Sequence, residues 1–291
     1  MSNSALYVFT VLIWGTTWIA IKFQLGEVAS LVSIAHRFFL AALLIFFYLI
    51  VRRQLVTISR RDHCFVFLQG MSLFCINYVF IYTATATLAS GLVAVVFSTM
   101  LILNMVNGAI FFGAPIQRTV VLGALIGLLG MVGVFLPELQ ALSLTDDNFR
   151  ALLMCLGGTV FASFGNMFSL RNLRRGLPVL TCNAWGMAYG AVTLYVVAIV
   201  SGQAITIEMT APYLLSLFYL ALFGSVLAFW AYLTLIGNIG MDKAAYTSLV
   251  FPVVALLIST VLEGYSWSVS AIFGMSLVVL GNWLVMHRAK A

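Results

Sequence analysis

Eleven of the fourteen Lys and Arg residues stand in alternate gaps between ten apolar segments. One gap holds Arg52, Arg53, Arg60 and Arg61, and the next, Ala86 to Ser90, is uncharged. Arg118 follows, then an acidic gap with Glu138, Asp146 and Asp147. The alternation continues with Arg171, Arg174 and Arg175, then Glu208, Lys243, Glu263, and a tail with His287, Arg288 and Lys290. Basic side chains resist translocation and stay cytoplasmic, whereas Asp and Glu weigh little in orientation. The pattern therefore predicts a chain that crosses a bilayer ten times with its N- and C-termini in the cytoplasm. A span needs about 20 mostly apolar residues. Ten such segments are read at 5–22, 31–51, 64–85, 91–112, 119–137, 149–170, 179–201, 213–236, 244–263 and 269–286.

Composition excludes the other broad classes. Hydrophobic residues make up 63% and charged residues 8% of the chain, against about 25% charged in a soluble domain. The formal charge of +6 sits in short loops beside apolar spans. This is the signature of topology and of contact with membrane lipid, and no nucleic-acid partner is expected. Cys64, Cys75, Cys155 and Cys182 form no CxxC pair, so neither a metal site nor a disulfide framework is supported. No Lys or Arg precedes Lys22, so the N-terminus lacks the basic region of a signal peptide and reads as a retained first helix. His36, His63 and His287 are far apart, and no HExxH, GxSxG or P-loop pattern occurs. The chain is therefore not expected to be an enzyme or to need a cofactor.

The two halves look related. The fourth segment opens with ASGLVAVVFS and the ninth with AAYTSLVFP, which matches Phe97 with Phe251. Gly123 and Gly130 in the fifth are spaced as Gly274 and Gly281 in the tenth. The expected organisation is a first five-helix repeat at 1–137, an extracytoplasmic linker at 138–148 and a second repeat at 149–291. Five is odd, so the second repeat must enter the membrane from the opposite side. The acidic residues agree, since six of the eight fall on the non-cytoplasmic side of this scheme. Inverted repeats are a recurrent plan of secondary transporters, with the site near the midplane between them.

Several motifs in order carry a family resemblance. They are WGTTWIAIK at Trp14 to Lys22, HRFFLAALLIFF at His36 to Phe47, FPVVALLISTVLEG at Phe251 to Gly264, and the glycine-rich fifth and tenth segments. With them the whole chain resembles the EamA-type ten-helix carriers of the drug/metabolite transporter superfamily. Within that group it looks most like the YddG-type amino-acid exporters. The resemblance implies an all-α membrane fold of two inverted five-helix repeats, a basket-like bundle, a central cavity and export of small metabolites. One departure is that Gly113 is followed by Ala114 and Pro115, where the family often has a Gly-Glu pair.

The candidate cavity residues are aromatic and uncharged polar. Trp14 and Trp18 are four apart and share a face, as do Tyr78 and Tyr82, and Trp185 and Tyr189. Trp230 lies well inside the eighth segment. A buried Tyr hydroxyl or indole N–H needs a partner, so these side chains are expected to face the protein interior, to line a cavity or to pack. Asn77, Met100, Asn104, Ser163 and Asn166 form the polar set. Helix-to-helix hydrogen bonding competes with cavity lining for them, most strongly for Asn104. Gly91 and Pro252 are the expected hinges.

Ionisable residues inside spans are functional candidates by default. The candidates are Lys22, which ends the first segment and can snorkel to the surface, with His36, Arg37 and Glu263, and no Asp or Glu falls at mid-span. Arg37 is assigned a structural role, paired with Glu263 or Glu27, ahead of carboxylate binding. A free imidazole titrates near neutral pH, which makes His36 a candidate for coupling, but packing is its simpler reading. The composite expectation is an inner-membrane exporter of a small-molecule substrate, an amino acid or related metabolite, working by alternating access as a gradient-driven facilitator. The alternative is a proton-coupled drug, cation or metabolite antiporter. The sequence specifies no oligomeric state.

Overall fold

The computed structural model of the chain describes residues 1–24, 26–88, 90–140, 146–262 and 267–288. The described residues are helical and turn structure without a strand. Ten helical columns are built from them. These are α1 (Asn3–Lys22), α2 (Ser30–Val51), α3 (Arg60–Thr85), α4 (Ser90–Ser98 and Met100–Phe112) and α5 (Arg118–Val134). After a short helix at Leu136–Gln140 come α6 (Asp146–Arg174), α7 (Val179–Val200), α8 (Ala211–Ile239), α9 (Met241–Ala244 and Thr247–Leu262) and α10 (Val269–Arg288). Eight columns hold stretches long and apolar enough to cross a membrane. The other two, α5 and α10, are apolar and pair with each other. The stretch read from sequence as a linker is partly helical, at Leu136–Gln140 and again from Asp146.

The outward faces stay apolar. Phe47, Leu129, Val200 and Phe273 are each at least 64% exposed. A soluble monomer rarely shows apolar surface on that scale, whereas acyl chains solvate it without cost. The interior is assembled by close approach. α5 packs along α10, α2 along α7, α3 against α6, and α1 against α8 and α9. Exchanging the first five helices for the last five maps α5–α10 and α2–α7 onto themselves, α3–α6 onto α8–α1, and α1–α9 onto α6–α4, which also pack. Glycine makes the tightest of them. A Cβ built on Gly130 would lie 2.6 Å from the Gly274 carbonyl oxygen, and one on Gly281 would lie 2.6 Å from that of Gly123. Without side chains there, the two backbones touch, which is how small residues join membrane helices.

Local chemistry starts and interrupts the columns. Ser59 caps α3 by accepting from the Asp62 amide at 3.1 Å and donating to its carboxylate at 2.7 Å. Arg171 of α6 donates to the same carboxylate at 2.7 Å, pinning α6 to α3. Gly113, at φ +62°, ends α4 in the left-handed region that glycine enters freely. α4 is interrupted at Thr99, whose hydroxyl donates to the Val96 carbonyl at 2.6 Å. α9 is interrupted at Ala245 and Tyr246, where Thr247 and Ser248 hydroxyls take the carbonyls of Ala244 and Ala245. Such local bonds compete with the helical ladder. The helix then runs unbroken through Pro252, so the break lies six residues before the proline expected to mark it.

Two columns change pitch. α3 passes through a π-helical stretch at Ser72–Ile76 and α8 through one at Leu220–Leu227. Each lies in the third helix of its five-helix half. A π turn holds more residues than an α turn, rotates the downstream part of the helix, and leaves carbonyls free.

Candidate functional site

A cavity of about 130 Å³ lies where α1, α2, α3, α4, α6, α8 and α9 meet. On that measure one water fills about 10–15 Å³, so the space suits a solute of about ten heavy atoms. Leu73, Met100, Asn166 and Tyr232 form one end, and Ile21, Tyr82 and Thr85 the other, with Trp14, Thr17, Arg37, Asn77, Tyr78, Phe97, Phe229 and Phe251 between. The wall is aromatic and aliphatic with a few polar groups, the usual character of a small-molecule site. Among the described residues lining it, none is Asp or Glu.

The π-helical stretch of α8 moors this wall. Trp14 donates its indole N–H to the Gly224 carbonyl at 3.2 Å. Arg37 donates through Nε to the Ser225 hydroxyl at 2.9 Å. Trp14 also packs on Tyr232 (4.9 Å), Phe229 (5.2 Å) and Phe251 (6.1 Å) between ring centroids. Tyr78 sits edge-on to Phe38 at 4.8 Å and tilted to Tyr82 at 6.3 Å.

A polar layer closes the Asn166 end. The Asn166 amide donates to the Tyr232 hydroxyl at 3.0 Å and to Asn104 Oδ1 at 3.5 Å, and Asn104 donates to the Met241 carbonyl at 3.3 Å. Beyond it lies a second, smaller cavity with Asn104, Phe112, Arg174, Met241 and Asp242 on its wall. Asn104 thus belongs to the partition and to the second cavity rather than to the central one.

A family comparison gives this geometry a context. The family model described as "EamA-like transporter family" matches residues 3–136 and again 149–287. The chain belongs to the EamA-like transporter family. It is thus a membrane transporter of the drug/metabolite transporter superfamily. The uncharacterized inner membrane transporter YedA of Escherichia coli (strain K12) is 28% identical over 289 residues, covering 96% of this chain and 90% of that protein. A probable amino-acid metabolite efflux pump of the same strain is 22% identical over 292 residues, covering 97% of this chain and 94% of that protein. One solved structure superposes with a TM-score of 0.83 at 18% identity, covering 99% of this chain and 98% of its own. At that identity the likeness shows the fold.

In this EamA-like transporter the residues singled out from sequence separate into groups. Trp14, Asn77, Tyr78, Tyr82, Met100 and Asn166 are brought together on the central cavity. Ser163 is buried against α4, accepting from Asn107 at 2.8 Å. Trp185 and Tyr189 stand outside the cavity in a cluster with His63. Tyr189 hydrogen-bonds His63 Nδ1 at 2.8 Å, and Trp185 meets His63 at 5.1 Å and Phe46 at 5.0 Å between ring centroids. The Tyr189 hydroxyl finds its partner there, and Trp185 is held by ring contacts. Trp230 packs against the core and does not reach the cavity wall. His36 is half-buried beside Tyr195. Arg37 is on the wall without an ion pair to Glu27, which is exposed, so the pairing expected from sequence is absent on that side. Glu263 and the side chains of Trp18 and Gly91 lie outside the described residues.

Sequence reasoning passed over Tyr232, Phe229 and Thr17. Phe229 and Tyr232 are three apart and share a face, while Trp230 is turned about 100° from Phe229 by the helical pitch. The signal was present as spacing. What it lacked was the phase, which the π-helical stretch resets just upstream.

Proposed function

We propose that this transporter exports small, largely apolar amino acids or related metabolites across the bacterial inner membrane, by alternating access through the central cavity. The observation that carries this reading is the cavity itself, with its aromatic wall, a few amides and no carboxylate among its described lining residues. A solute of about ten heavy atoms is the size of an apolar amino acid. The relative named as a probable amino-acid metabolite efflux pump supports the same substrate class.

The positive-inside pattern puts the loops bearing Arg52, Arg53 and Arg118 in the cytoplasm together with both termini. The two five-helix repeats are then inverted, and the cavity extends toward the non-cytoplasmic ends of its helices. The Asn104–Asn166–Tyr232 layer is the cytoplasmic seal that alternating access must open.

Among the described lining residues there is no carboxylate, which favours gradient-driven facilitation over obligatory proton exchange, since coupling normally uses a membrane-embedded acid. Efflux from proteoliposomes is therefore expected to run at the same rate with and without an imposed pH gradient. Strict dependence on that gradient, abolished by His36→Gln or Glu263→Gln, would establish the proton-coupled antiporter instead.

A further inference from the structure

We propose that Arg37 is the anchor for a carboxylate on the transported molecule. The substrate class is then small molecules with one carboxylate and an apolar body, zwitterionic amino acids among them. This rests on the central cavity being the transport site, as proposed above.

Arg37 is 3% exposed, yet it forms part of the cavity wall. A buried charge is costly unless it is paired and fully hydrogen-bonded. Guanidinium offers five donors. Nε is spent on Ser225, and the Tyr82 hydroxyl is a polar neighbour of the group on the same wall. Nη1 is buried without a hydrogen-bond partner. The Tyr78 ring lies 5.2 Å from Cζ and gives some cation–π support, but it takes no hydrogen bond in the guanidinium plane. The backbone makes room for this placement. A Cβ on Gly224 would lie 3.1 Å from Nη2, so a side chain there would press on the guanidinium.

Two other buried polar atoms without partners lie on residues of the same wall, Asn77 Oδ1 and Asn166 Oδ1. The residues of this wall therefore hold one unpartnered cationic donor and two unpartnered acceptors, which a bound solute can reach through small side-chain adjustments. A carboxylate completes the first, and an ammonium or hydroxyl group suits the second. A guanidinium binds carboxylate in a planar, two-pronged fashion that lysine does not reproduce. With Arg37 on the wall and no acid among the described lining residues, a net cation is repelled.

The test uses the full-length purified protein and three probes with one side chain: leucine, leucinamide and 4-methyl-2-oxopentanoate. Binding is read by ligand-induced thermal shift, and transport by competition in proteoliposome counterflow. In the wild type, leucinamide is expected to bind roughly ten- to a hundredfold more weakly than leucine, the factor for losing a charge-assisted hydrogen bond. In Arg37→Gln that preference is expected to collapse toward unity, and in Arg37→Lys to return in part. Equal binding of leucine and leucinamide by the wild type would overturn the anchor, and this arm needs no variant to fold. A folded Arg37→Gln that keeps the full preference would overturn it as well. Exchange of the oxo acid without exchange of leucine would sink the amino-acid reading while leaving the anchor standing. Failure of all three probes to bind would overturn both.

Discussion

Trp14 gathers more of the cavity than any other single side chain described. Its indole is hydrogen-bonded to Gly224 and contacts three aromatic rings from α8 and α9. Truncating it removes an aromatic payload whose loss from a core costs about 3–5 kcal/mol. Trp14→Ala is therefore expected to lower the melting temperature of the purified protein measurably as well as its transport, and an unchanged melting curve would contradict the packing. Tyr78 and Trp185 supply a sharper contrast. Tyr78 is on the cavity wall, whereas Trp185 is lodged against His63 and Phe46. Tyr78→Ala is expected to raise the KM for counterflow by on the order of tenfold, the worth of one good contact, with Trp185→Ala leaving it near the wild-type value. The reverse order would put the substrate elsewhere. At this scale the sequence was readable where side chains kept α-helical phase. Trp14, Tyr78 and Tyr82 were visible from spacing alone. Tyr189 obeyed the same rule, that a buried polar aromatic needs a partner, but the partner is a histidine.

At the scale of the element, the glycine contacts and the π-helical stretches do most of the positioning. Gly130 and Gly274 bring the backbones of α5 and α10 together. Overpacking generally costs about 1–3 kcal/mol, and here the new atoms would meet backbone that has nowhere to go. Gly130→Leu is thus expected to cut the yield of folded protein or drop its melting temperature, while Leu129→Ala, on the exposed side of the same helix, leaves both close to wild type. The π-helical stretch Leu220–Leu227 fixes which residues of α8 face the cavity. Deleting Ala231, in the α-helical turn between that stretch and Tyr232, would turn Tyr232 away by about 100°. The protein is expected to remain membrane-inserted and lose counterflow; retained counterflow would mean that the face is not set there. The ten helices were legible because hydropathy and loop charge report spans directly. The pitch changes were not, since nothing in α3 or α8 breaks the apolar pattern that an α-helix of the same length would show.

For the whole molecule, the helix pairings exchange between the first five helices and the last five. Orientation is the remaining global claim, and the Arg52–Ser59 loop tests it. Cys64 is the exposed cysteine, and the other three are buried. In a Cys64→Ser chain carrying Gln54→Cys, a membrane-impermeant maleimide is expected to label inside-out vesicles and to spare right-side-out ones; the opposite labelling would invert the topology.

The central claim is that this cavity carries apolar amino acids without needing a proton gradient. Counterflow of the twenty radiolabelled amino acids, in proteoliposomes at matched internal and external pH, tests it most directly. Saturable exchange of apolar members such as leucine and phenylalanine, with none of lysine or arginine, is the predicted result. Exchange of the cationic amino acids, or of no amino acid at all, would contradict it.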